Sequence, residues 1–109
     1  MPKITLLVID DDSPDGTAEI AESAGASVCV RQGVPRGRGL SGIAGYRWAL
    51  TLDVDAVLEM DADGSHDPAQ APRLLDALAQ ADIAVGSRNA ARGGRDERPV
   101  IRRALSAAA

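Results

Sequence analysis

Two apolar runs in this chain stop abruptly at clusters of carboxylates. Leu6-Leu7-Val8-Ile9 leads into Asp10-Asp11-Asp12-Ser13-Pro14-Asp15-Gly16-Thr17, and Ala56-Val57-Leu58-Glu59-Met60 leads into Asp61-Ala62-Asp63-Gly64-Ser65-His66-Asp67-Pro68. A short aliphatic run bounded in this way reads as a buried parallel strand that delivers charge to its carboxyl end. In open α/β sheets that edge is where ligands bind. Carboxylates gathered there repel one another unless a positive group joins them, and a divalent cation meets that need. The pattern therefore points to a metal-dependent site for a phosphorylated ligand.

The chain's 109 residues allow at most one domain with a single modest core. With no Phe, one Trp and one Tyr, that core has to be aliphatic. The net charge of −4 argues against a general nucleic-acid binder, which needs a basic face. Charge is segregated, however: Arg88, Arg92, Arg95, Arg98, Arg102 and Arg103 all fall in the last stretch of the chain. The lone Cys29 excludes an intrachain disulfide, and its apolar surroundings in sequence point to a buried thiol. No basic, apolar leader opens the chain, and no apolar run approaches the roughly 18 residues of a membrane span.

Alternation along the chain predicts an α/β layer with a mostly parallel sheet and flanking helices. Strands are expected over 4–9, 27–30, 56–60 and 81–85. Helices are expected from Asp15 or Thr17 to about Ser23, from near Leu40 to Leu50, and from Pro68 with Leu74, Leu75 and Leu78 as its buried stripe. A last helix is expected from Pro99.

Asp61 and Asp63 are one residue apart, so on an extended strand end both carboxylates point the same way. Magnesium and manganese take oxygen ligands and keep positions open for substrate phosphates. The bland alternative for this D-x-D is a solvated turn capping a helix through Asp67. His66 reads as a capping or loop residue, and Asp15 and Thr17 as caps. The glycine-rich stretch Arg36-Gly37-Arg38-Gly39-Leu40-Ser41-Gly42 does not follow a strand at dinucleotide-binding spacing, so that motif fails its context test. Arg38 fits a phosphate contact and a solvated loop position equally. Tyr46 and Trp48 read as packing residues, and Arg92, Arg95 and Arg98 as surface charge.

Five segments together resemble the family 2 glycosyltransferases of GT-A fold, and most closely the dolichyl- or polyprenyl-phosphate mannose synthases. They are V-I-D-D-D-S-P-D-G-T (8–17), R-G-L-S-G-I-A-G-Y-R-W-A-L (38–50), E-M-D-A-D-G-S-H-D-P (59–68), G-S-R (86–88) and R-R-A-L-S (102–106). The resemblance implies a Rossmann-like nucleotide-binding half of a GT-A domain over 1–109, with a core over about 4–92 and an Arg-rich segment over 93–109. It implies that Asp11 or Asp12 hydrogen-bonds the base or ribose of a nucleotide-sugar donor, GDP-mannose by resemblance to the mannose synthases. It implies that Asp61 and Asp63 hold Mg2+ or Mn2+ against the donor diphosphate, with Ser65 a further ligand or its neighbour, and that Arg38 stands on the donor side. Arg88 and one of Arg102 and Arg103 would meet the phosphate of a polyprenyl or dolichyl phosphate acceptor, and Asp63 and Arg88 would be the catalytic pair. The implied location is cytoplasmic, peripheral at the inner face of the membrane.

Members of that family open with a strand ending in a P-x-Y-N-E-like segment, and Met1 lies only a few residues ahead of what resembles their second strand. The expectation is a partial domain lacking that first strand, with open sheet edges able to pair between molecules. A catalytically inactive fragment is accordingly the alternative to an active transferase. A phosphoacceptor receiver domain, with Asp61 as the acceptor, is a lesser alternative. Such a domain needs a lysine after its last strand, and the one lysine here is Lys3.

Overall fold

The computed structural model of the chain describes residues 3–87. The chain divides into two compact units, Met1–Met60 and Asp61–Ala109. The first unit contains strand β1 (Leu7–Asp10), helix α1 (Thr17–Ser23), strand β2 (Ser27–Val30) and helix α2 (Arg38–Ala49). The second contains a 3₁₀ turn (Pro68–Gln70) that runs into helix α3 (Ala71–Ala77). This is the α/β architecture expected from the alternation of apolar runs and helical segments.

β1 and β2 pair in parallel, with Leu7 opposite Ser27 and Asp10 opposite Val30. Parallel neighbours require a crossover, and α1 supplies it. At the start of α1 the Asp15 carboxylate accepts the Thr17 N–H at 3.2 Å and the Thr17 hydroxyl, satisfying one of the donors that a helix start leaves over. At its end Gly25 adopts φ +94°, a left-handed conformation open to glycine at little cost. The Ala26 N–H then reaches back to the Ala21 carbonyl at 3.1 Å, and the chain turns into β2.

α2 packs on β1 at Gly45, where a methyl group would lie 3.5 Å from Ile9 Cγ1. Helix and strand therefore approach within a single side-chain atom of contact. In the second unit, the helix expected from Pro68 is divided. Pro72 has no N–H to give to the carbonyl four residues back, so a 3₁₀ turn at Pro68–Gln70 precedes the α-helix that starts at Ala71. Leu74 on α3 and Leu78 just past its end are half-buried and Leu75 is exposed, a narrower stripe than the three leucines predict.

Three further expectations differ from what is found. The runs 56–60 and 81–85 are not strands, because neither has a ladder neighbour among the described residues, and a parallel strand exists only as a member of a pair. Cys29 is half-buried rather than enclosed. Among the described residues no hydrophobic side chain is buried, and the one buried residue is Asp10, 5% exposed. Two strands and short helices leave Ile4, Leu50, Ile83 and Val85 more than three-quarters exposed. The expectation of a helix from Pro99 lies outside the described residues.

Candidate nucleotide and metal site

The first acidic cluster divides its work among three adjacent aspartates. Asp10, the last residue of β1, is buried, and its carboxylate accepts the Ser13 N–H at 3.0 Å and the Ser13 hydroxyl. It closes the turn and is shielded from solvent. Asp12 stands at φ +60°, a conformation uncommon for a residue with a Cβ and best tolerated by Asn and Asp. Gln32 Nε2 donates to its carboxylate at 3.0 Å, and Arg36 Nη2 donates to its carbonyl at 2.9 Å.

Asp11 has the richest surroundings. Its Oδ1 accepts from Arg31 Nη1, and its Oδ2 accepts the Gly37 N–H at 2.8 Å. Gly37 makes that approach at φ +145°, a backbone conformation that L side chains rarely adopt. The Gly37 N–H, and after it the Ser41 hydroxyl and the Arg31 guanidinium, hold the Asp11 carboxyl below the usual carboxylate range, against the opposing effect of burial. Asp11 is therefore ionised, partly shielded and fixed in orientation. Of the two aspartates that the sequence left open as a base or ribose acceptor, Asp11 is the one presented as an oriented, charge-balanced acceptor.

Arg38 opens α2 and is exposed, with Nη2 3.6 Å from Glu59 Oε1. Tyr46, expected to pack, instead donates its hydroxyl to Glu59 Oε2. That bond, followed by burial and the Glu59 charge, raises the Tyr46 pKa above its ordinary value.

In the second unit, the D-x-D turn is organised from within. The Asp61 N–H donates to His66 Nδ1 at 2.8 Å, so that nitrogen is the acceptor and the imidazole carries its hydrogen on Nε2. His66 Nε2 lies 3.9 Å from Asp61 Oδ2. Asp63 Oδ1 accepts the Ser65 N–H at 2.9 Å. The Ser65 hydroxyl first, and its N–H second, keep the Asp63 carboxyl below the usual range. Asp67 accepts the Ala69 N–H at 2.9 Å and caps the 3₁₀ turn, so the capping that the bland reading assigned to Asp67 is present beside two carboxylates it does not use.

Asp61 and Asp63 are both accessible, and two carboxylates with a nearby hydroxyl form an all-oxygen donor set suited to Mg2+ or Mn2+. Among the described residues no group of three or more His, Cys, Asp or Glu side chains is gathered for a metal. A cation here would therefore complete its shell with water and with ligand oxygens. Arg88, Arg102 and Arg103 lie outside the described residues. The sequence reading missed Arg31 and Glu59. The signal for Arg31 lay in the parallel register: an arginine one residue past β2 must stand opposite the acid one residue past β1.

Comparison with known proteins identifies the family. The family model described as glycosyl transferase family 2 matches residues 1–107. The chain is 44% identical over 110 residues to the undecaprenyl-phosphate mannosyltransferase of Micrococcus luteus, covering 97% of this chain and 45% of that protein. It is 43% identical over 93 residues to the polyprenol monophosphomannose synthase of Mycolicibacterium smegmatis, covering 80% of this chain and 35% of that protein. It is 33% identical over 105 residues to the dolichol-phosphate mannosyltransferase of Pyrococcus furiosus, covering 93% and 29% respectively. The chain thus spans less than half the length of each of these relatives. No solved structure matches it at a significant level. The acidic turns after the two apolar runs, and a family match across nearly the whole sequence, lead to one conclusion: this chain belongs to glycosyl transferase family 2.

Proposed function

We propose that the chain is the donor-binding portion of a polyprenyl-phosphate mannosyltransferase, transferring mannose with inversion from GDP-mannose to a polyprenyl or dolichyl phosphate. The observation that carries the reading is the 44% identity with the Micrococcus relative over 97% of this chain, a span that includes both acidic turns. In this reading Asp11 accepts hydrogen bonds from the nucleotide base or ribose, and charge-assisted bonds of that kind are short and strong. Asp61 and Asp63, with Ser65 beside them, hold Mg2+ or Mn2+ against the diphosphate, and Arg38 attends the donor. The bound cation would neutralise charge on the departing nucleoside diphosphate.

The second ionisation of a phosphate monoester lies near about 6, so the attacking acceptor oxygen is largely ionised at neutral pH. A dedicated general base is not needed, which suits a chain whose single His, His66, is committed to the Asp61 backbone. As the phosphate oxygen forms its bond to the anomeric carbon, the bond from that carbon to the diphosphate breaks and its electron pair leaves with GDP. Arg88, with Arg102 or Arg103, serves the acceptor phosphate, because a guanidinium fork matches phosphate oxygens and keeps its charge. Among the described residues no helix is long and apolar enough to cross a membrane. The proposed place of work is the cytoplasmic membrane surface, where a lipid phosphate is presented.

A second reading, donor binding without turnover, is favoured by one observation. Among the described residues no hydrophobic side chain is buried and the sheet has two strands, so self-association through its edges competes with a stable monomer. One assay separates the readings: purified chain with GDP-mannose, polyprenyl phosphate and manganese, followed for lipid-linked mannose. Transfer by a monodisperse monomer supports the first, GDP binding without transfer supports the second, and absence of both overturns the donor assignment.

A further inference from the structure

Arg31 connects four separate pieces of the first unit. Its N–H donates to the Asp10 carbonyl at 2.7 Å, carrying the β1–β2 ladder one step past the strands. Its guanidinium, only 12% exposed, donates through Nη1 to Asp11 Oδ1 and to Ser41 Oγ at 3.1 Å, and through Nη2 to the Pro35 carbonyl at 3.0 Å. Ser41 in turn donates its hydroxyl to the Gly37 carbonyl at 3.1 Å, and the Gly37 N–H returns to Asp11. One side chain thus ties together the end of β1, the end of β2, the loop 31–37 and the first turn of α2.

We infer that Arg31 is the positioning residue for recognition of the donor's nucleoside, acting through Asp11; this inference rests on the donor reading proposed above. Two physical effects carry it. First, a carboxylate offers about four acceptor positions on its two oxygens. The bonds from Arg31 and Gly37 use one on each oxygen, which fixes the plane of Asp11 and leaves acceptor capacity for a base N–H or a ribose hydroxyl. Second, the partly buried guanidinium balances the charge of Asp11 at close range, so the carboxylate is held as an ionised acceptor for the nucleoside. The fork shape matters as much as the charge, because a lysine ammonium is a point donor and cannot hold Asp11, Ser41 and Pro35 in one planar arrangement.

The test is calorimetric titration of the wild-type chain, Arg31→Lys, Arg31→Gln and Ser41→Ala with GDP and manganese, and in parallel with pyrophosphate and manganese. A thermal melt of each variant accompanies the titrations. GDP affinity is expected to fall at least tenfold in both Arg31 variants and about threefold in Ser41→Ala, a few-tenths-to-one-bond effect. Binding of manganese pyrophosphate is expected to stay within twofold throughout, because the inference assigns Arg31 and its partners to the nucleoside and not to the phosphates. Should GDP affinity be unchanged in Arg31→Lys and Arg31→Gln while the wild type binds, the inference is overturned and the donor reading stands. Should GDP and pyrophosphate affinities fall together in Ser41→Ala, the network is merely structural and the inference is likewise overturned. Should the wild type bind pyrophosphate but not GDP, the donor reading itself falls and takes the inference with it.

Discussion

The Tyr46 hydroxyl donates to Glu59, so helix α2 is tied by its third turn to the apolar run that leads into the second acidic turn. The same carboxylate lies 3.6 Å from Arg38, at the start of that helix. Glu59 therefore faces a proton donor at one oxygen and a cation at the other, and α2 is held to it at two places along its length.

Tyr46→Phe removes the donor and nothing else. Both partners are nearly half exposed, so the loss in stability is expected below the range for a hydrogen bond to a charged group, at about 1 kcal/mol. The bond also raises the Tyr46 pKa, so its contribution is complete below the ordinary tyrosine value and disappears as pH rises through the higher folded value. Chemical denaturation at pH 7 and again above about pH 10 checks both parts, because the deficit of Tyr46→Phe should shrink at the higher pH.

Asp11, Asp15 and Asp63 all have their pKa values depressed by hydrogen bonds, foremost from Gly37, Thr17 and Ser65 respectively. A carboxylate more acidic in the folded chain than in the unfolded one stabilises the fold above the unfolded value. That contribution is lost as pH falls through the folded value. The chain is therefore expected to keep its stability down to about pH 4, the ordinary range for Asp, and to lose it progressively below that. Circular-dichroism melts between pH 7 and pH 2 measure the slope, and Asp11→Asn should flatten it.

Asp61 and Asp63 are expected to bind manganese weakly alone and more tightly with GDP present, because two carboxylates leave most of an octahedral shell to water and phosphate. Asp63→Asn should abolish the enhancement by GDP. Equal heats for the wild type and the double Asp61→Asn, Asp63→Asn variant would remove the metal from the site.

Asp12 offers a test of backbone conformation alone. At φ +60° an alanine is expected to cost about 1 kcal/mol, the usual penalty for a left-handed residue with a Cβ. Glycine should be tolerated despite the lost bond from Gln32. If Asp12→Ala and Asp12→Gly melt alike, the side-chain bond and not the backbone sets the preference at this position.

Much of the first unit was legible because local rules decide it. The run Leu7–Asp10, the helix Thr17–Ser23 and the strand Ser27–Val30 follow from apolar runs punctuated by Pro14, Gly16 and Gly25. The D-x-D pair and its Asp67 cap were legible for the same reason, since each depends on neighbours within a few residues. What composition and spacing did not show is pairing across distance. Arg31 and Asp11 are twenty positions apart, and Tyr46 and Glu59 thirteen. The runs 56–60 and 81–85 look like strands to any pattern rule, yet ladder bonds come from a neighbour and not from the run itself. Ser65 was read by analogy as a metal ligand or the neighbour of one, and the bond from its N–H to Asp63 is a local detail that no spacing rule supplies.

The β1–α1–β2 segment occupies residues 7–30 without interruption, and its ladder joins positions only twenty apart. The loop that this pairing closes is short, and the entropy cost of closing a loop grows with its length. The arginine that clamps Asp11 is the next residue after this segment. The acidic end of β1 and the counter-charge that shields it thus belong to one short, continuous stretch of chain.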